Sequence, residues 1–149
     1  MKTILYTIIL VGILSLTVFG QTRKPKTAPL PAGIATWSGE YSEKLLNNAV
    51  IKSRLKRLMG STNYASFMES FETLTPITKD GDFLFASGCL IHACTHLESA
   101  IAINVKANTI HAAIFNDEKT TLYFNERGSK TPKPIANWAA NLDTIKTNK

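Results

Sequence analysis

The 149 residues carry 17 Lys and Arg against 11 Asp and Glu, a formal charge of +6, and only two cysteines. This length supplies one domain with a real core but not two. The positive balance favours anionic surfaces such as polyanionic glycans or membranes, but the cations are spread along the chain and not interleaved with aromatics, so nucleic acid is not the expected partner.

Met1-Lys2 followed by a nearly unbroken apolar run from Ile4 to Phe19, with Val18 and the small Gly20 at its end, has the pattern of a secretory signal peptide over residues 1–20 cut before Gln21. The run is short for a membrane span and no stop-transfer flank follows, although an uncleaved N-terminal anchor is the competing reading. No cysteine follows the expected cut, so a lipid-anchored form is not expected. The protein is therefore expected in the periplasm or secreted beyond it, with a formal charge of +5 once Lys2 is lost. Residues 21–36, with Pro25, Pro29, Pro31, Arg23, Lys24 and Lys26, have almost nothing to bury and read as an extended, mobile leader able to make weak contact with anionic surfaces.

The folded domain is expected over 37–145, beginning near Trp37. From Asn48, Ile51, Leu55, Leu58 and Met59 recur at helical spacing, with Asn47 or Asn48 as N-cap and Gly60 where a left-handed residue would end the helix. Lys52, Arg54, Lys56 and Arg57 read as its solvated cationic face. Tyr64, Phe67, Met68 and Phe71 predict a second, core-facing helix. Strands follow: Thr73 to Thr78, interrupted by Pro76 and so at an edge; Phe83 to Ser87 after an Asp80-Gly81 turn; Ala100 to Val105; Thr109 to Phe115; and Thr121 to Asn125. Their short connections imply an antiparallel meander, because parallel crossovers need longer ones. Pro134 to Leu142 predicts a closing helix with Ile135, Trp138 and Leu142 on one face. The fold class is α+β: one domain with about five antiparallel strands flanked by helices.

Between the second and third expected strands lies Cys89-Leu90-Ile91-His92-Ala93-Cys94. In an exported chain with no other cysteine, these thiols most simply oxidise to each other, giving a small protruding loop that presents His92; Gly88 is expected to let the chain leave its strand in an unusual conformation. Other chemistries compete. Cys89, His92, Cys94 and His96 could ligate zinc, but they are packed more tightly than the usual two separated ligand arms. A cysteine nucleophile with a histidine base would need a thiol its neighbour does not trap. A structural disulfide with an incidental histidine also stays open. His96 and His111 read as solvent or strand residues, His111 at the surface or in the sheet. No metal or other cofactor is expected.

Ser87-Gly88-Cys89-Leu90-Ile91-His92-Ala93-Cys94, followed by Ala100-Ile101-Ala102-Ile103, resembles the signature region of the inhibitor of vertebrate lysozyme (Ivy) family. The likeness extends more loosely from Tyr41 through Trp138. The chain departs from the family pattern at Ile91, which stands in place of a proline, and at Leu90. The resemblance implies a non-enzymatic protein inhibitor of a lysozyme, or of a related muramidase or lytic transglycosylase. His92 would carry the inhibition, with Leu90, Ile91 and Ala93 against the walls of the target's cleft. A non-catalytic envelope-binding module is the alternative of a different class, and a homodimer stays open.

Overall fold

The computed structural model describes residues 27–147, so the expected signal peptide and residues 21–26 of the expected leader lie outside the described residues. A 3-10 turn at Ile34–Thr36 leads to two helices, α1 (Glu43–Asn47) and α2 (Ala49–Glu69). Six strands follow: β1 (Thr73–Leu74), β2 (Thr78–Asp80), β3 (Phe83–Cys89), β4 (Leu97–Asn104), β5 (Thr109–Asn116) and β6 (Leu122–Asn125). A second 3-10 turn at Glu126–Gly128 precedes α3 (Lys133–Thr147). The sheet is antiparallel throughout, in the order β1-β3-β4-β5-β6, with β2 also pairing β3. The expected first strand is thus two short pieces, β1 and β2, separated around Pro76, whose missing N–H suits such a break.

Both faces of the sheet are covered. Ile101 and Ile103 of β4 join Leu84, Ala86, Ile110 and Ala112 in the core shared with Ile51, Leu55, Met59 and Phe67 of α2. The alternate positions Ala100 and Ala102, with Ala113, pack with Ile135 and Trp138 of α3. Alternation of isoleucine with alanine therefore separates a deep layer from a shallow one, and the strand reads as continuously apolar because neither face meets water.

Asn48 caps α2 through its side-chain oxygen, which accepts from the Val50 and Ile51 N–H groups at 3.0 and 3.3 Å. Gly60 has the expected positive φ, but with φ 75° and ψ 171° it joins the two expected helices end to end and does not terminate the first. Only glycine adopts this region readily.

Two further sequence expectations are corrected. Residues 27–36 are not an extended spacer: Ile34 is 3% exposed, Leu30 packs against the core, and the Leu30 N–H donates to Asn108 Oδ1 at 3.1 Å. Apolar residues there were too sparse to predict docking, but two are enough to anchor it. Arg54 is not on a solvated face: it is 2% exposed and its guanidinium grips both carboxylate oxygens of Glu126, Asn108 Oδ1, and the carbonyls of Asn108 and Ala28. His111 lies in the sheet, one of the two settings expected for it; the residue is 3% exposed, its ring edge-on to Phe83 and paired with Asn125 Oδ1 at 2.8 Å and Thr109 Oγ1 at 3.2 Å.

Candidate functional site

The hexapeptide lies at one end of the sheet, in the connection from β3 to β4. Cys89 ends β3, opposite Thr73 on one side and Glu98 on the other, and is bonded to Cys94 with 5.0 Å between their Cα atoms. Both thiols are consumed by that bond, which removes the zinc-thiolate and cysteine-nucleophile alternatives. Gly88 does not give the loop its exit, contrary to expectation. It stays in the β3 ladder, and a Cβ there would approach Phe71 Cδ1 to 2.6 Å and the Thr73 carbonyl to 2.8 Å. Its role is to admit the end of the helical layer against the sheet.

The exit is made instead by two residues that are not glycine. His92 and Thr95 have φ 64° and 69°, both left-handed. Between and around them run tight backbone bonds: Ala93 N–H to the Leu90 carbonyl at 2.9 Å, Leu90 N–H to the Leu97 carbonyl at 3.1 Å, and His96 N–H to the Ala93 carbonyl at 3.0 Å. A left-handed conformation is costly for a side chain with a Cβ, most of all for the β-branched Thr95, so it persists only where surrounding bonds determine it.

The expected site residues separate by exposure. His92 is exposed, and none of the described residues makes a hydrogen bond with its ring. Ile91 is 52% exposed, whereas Leu90 and Ala93 are half-buried in the turn. The ring therefore projects one imidazole and one aliphatic side chain together. His96, on the return leg, does not join His92: its Nδ1 pairs with the Asp117 carboxylate in the β5–β6 turn.

Residues that pattern reading missed surround this loop. Glu98 Oε1 accepts the Thr95 N–H at 2.8 Å, and its Oε2 accepts the Trp138 indole N–H at 3.3 Å. Glu72 Oε2 accepts the Ile91 N–H at 3.3 Å. For Glu98 a signal was present, since Thr95-His96-Leu97-Glu98 has the spacing in which a glutamate reaches back to a threonine N–H in a capping box. No helix follows here, and the motif serves a turn entering a strand.

The net charge is unevenly distributed. Glu69, Glu72, Glu98, Asp117 and Glu118 lie at the loop end of the sheet, where Lys119 and, from α3, Lys146 stand beside them. Lys79, Lys106, Arg57 and Arg127 lie toward the opposite end, outnumbering Asp80 and Asp82 there, while Glu126 is taken up by Arg54. A chain that is basic as a whole thus presents His92 on an acidic surround.

The model of the family described as Inhibitor of vertebrate lysozyme (Ivy) matches residues 50–144, a span that begins in α2, crosses the whole sheet and the disulfide loop, and ends in α3. No curated protein and no solved structure matches the chain at a significant level.

Proposed function

The chain belongs to the Ivy family, and from that premise we propose that it is an exported inhibitor of muramidases that inserts His92 into the two-carboxyl cleft of its target. Membership supports lysozyme inhibition in general and a role as inhibitor, not enzyme. The loop mechanism rests on one observation above others: an exposed imidazole, with no hydrogen bond from the described residues, held at the tip of a covalently closed turn.

The chemistry of the cleft explains why a histidine fits. A lysozyme-type site holds one carboxyl kept protonated by an apolar pocket and one ionised carboxylate. Neutral imidazole has one donor and one acceptor nitrogen, so His92 donates to the ionised group while accepting from the protonated one. Ile91 covers apolar wall beside it, and Leu90 and Ala93 form the inner rim. Closing the ring in advance lowers the conformational entropy lost on docking.

Secreted animal lysozymes are typically basic, and a partner of formal charge +5 would be repelled by them at long range. The uneven distribution of charge answers this. The eight residues of β4, at about 3.3 Å each, separate the two ends of the sheet by roughly 25 Å, about three screening lengths at physiological ionic strength. A docking cleft therefore meets the acidic end while the distant cations are screened. Export to the periplasm or beyond agrees with the disulfide, which needs an oxidising compartment.

The test is inhibition of cell-wall lysis by several purified lysozymes and lytic transglycosylases, with wild type and His92→Ala side by side. The expected outcome is inhibition of a basic lysozyme that His92→Ala weakens by about 1–3 kcal/mol, the scale of hydrogen bonds to charged or buried groups. Inhibition confined to transglycosylases would move the target and keep the mechanism. Equal inhibition by the two proteins would remove His92 from the role.

A further inference from the structure

We infer, on the premise that the loop histidine is the inhibitory group, that Glu72 and Glu98 are positioning residues whose carboxylates clamp the loop backbone on either side of His92. The disulfide closes residues 89 to 94 into a ring but does not set the direction of that ring relative to the sheet. Thr95 lies just outside it, in a left-handed conformation at φ 69°. That residue is the hinge through which the ring rejoins β4.

Glu98 holds the hinge. It stands in β4 opposite Cys89 and Phe115, so its backbone is fixed by a strand on each side. One carboxylate oxygen takes the Thr95 N–H at 2.8 Å, and Trp138 of α3 fastens the other at 3.3 Å. Glu72 reaches the ring from the opposite flank, between α2 and β1, and takes the Ile91 N–H at 3.3 Å. This second bond requires a backbone N–H at position 91, which isoleucine supplies and a proline would lack. Hydrogen bonds to an ionised carboxylate are stronger than neutral ones.

The loop tip at Ile91 and His92 is exposed and lies outside the core, so losing the clamp changes which loop conformers are populated more than it changes the stability of the core. Apparent affinity falls in proportion to the fraction of molecules in the docking-competent conformer. A clamp that raises this fraction from about one in ten to nearly all is worth about tenfold in the inhibition constant.

The experiment measures inhibition of a basic lysozyme, thermal midpoint, and the amide proton shifts and exchange rates of Ile91 and Thr95. It compares wild type with Glu98→Ala, Glu98→Gln, Glu72→Ala and His92→Ala. Glu98→Ala is expected to weaken inhibition about tenfold with little change in midpoint, and to shift and deprotect the Thr95 amide. Glu98→Gln keeps an acceptor for Thr95 and is expected to recover most of the loss. Glu72→Ala is expected to act more weakly, through the longer bond, at the Ile91 amide, and to add nothing in an Ile91→Pro background. Wild-type inhibition by both alanine variants, where His92→Ala has lost it, would overturn the clamp and leave the inhibitory histidine standing. Wild-type inhibition by His92→Ala would instead remove His92 from the inhibitory role on which the clamp rests. The amides then decide the clamp by themselves: unmoved Ile91 and Thr95 signals in the alanine variants overturn it, and selective loss of their protection sustains it.

Discussion

The two ends of the sheet use the same backbone device for opposite purposes. Each places two residues other than glycine in the left-handed region, His92 and Thr95 at the loop end, Asn108 and Arg127 at the other. At the far end Asn108 turns its side chain inward, while Arg127 stays exposed. Asn108 Oδ1 accepts from Arg54 and from the Leu30 N–H, and Glu126, next to Arg127, gives both oxygens to Arg54 while also accepting the Ile110 N–H at 2.9 Å. That end spends its polar groups on holding the N-terminal segment, α2 and β5 together. At the loop end the carboxylates hold backbone N–H groups, and the imidazole at the left-handed position stays outside. Left-handed backbone thus serves cohesion at Asn108, whose side chain is paired internally, and presentation at His92, whose imidazole faces outward.

Breaking the far end gives the largest expected effect. Arg54→Met leaves the carboxylate of Glu126 without its buried partner and should cost about 3–5 kcal/mol of stability. Denaturant unfolding measures this, and the inhibition constant of the protein that remains folded should not change. Reduction of the Cys89–Cys94 bond is next, at about 2 kcal/mol in the chain-entropy model for so small a ring. Here inhibition should weaken together with stability, because the ring is where presentation depends on a covalent constraint. Oxidised and reduced protein inhibiting equally would show that ring closure contributes nothing to docking.

The smallest effect sharpens the contrast at a single residue. His92→Gly and His92→Ala both remove the imidazole and should lose inhibition alike, but glycine occupies φ 64° without a Cβ penalty. The glycine variant should be the more stable of the two by about 1 kcal/mol in unfolding experiments. No difference between them would mean that the left-handed turn at position 92 carries no strain in solution.

How much of this was legible in the sequence follows from how far apart the interacting groups are. The cysteine loop, the Asn48 cap and the alternating β4 are written in neighbouring residues, and each was readable. Arg54 was not, because its partner Glu126 lies 72 residues away and the adjacent Lys52, Lys56 and Arg57 disguise it as one more surface cation. A signal did exist: position 54 falls on the same helical stripe as Ile51, Leu55 and Leu58, where a cation must be paired or unfolded. The place of His111 in the sheet was legible, but its burial was not. Alternation along a strand assigns a residue to a face but does not tell whether that face is covered. At the site itself, the position of His92 followed from local spacing, whereas Glu72 reaches the ring from 19 residues away and left no pattern to read.

The central claim, that the loop fills the target's cleft, is tested most directly by competition. Wild-type protein is titrated calorimetrically into a basic lysozyme whose cleft is progressively saturated with an oligosaccharide substrate analogue. The account predicts that apparent affinity falls in proportion to saccharide occupancy, since the imidazole and the sugar need the same two carboxyls. Undiminished affinity for the saturated enzyme would place the contact outside the cleft and contradict the account.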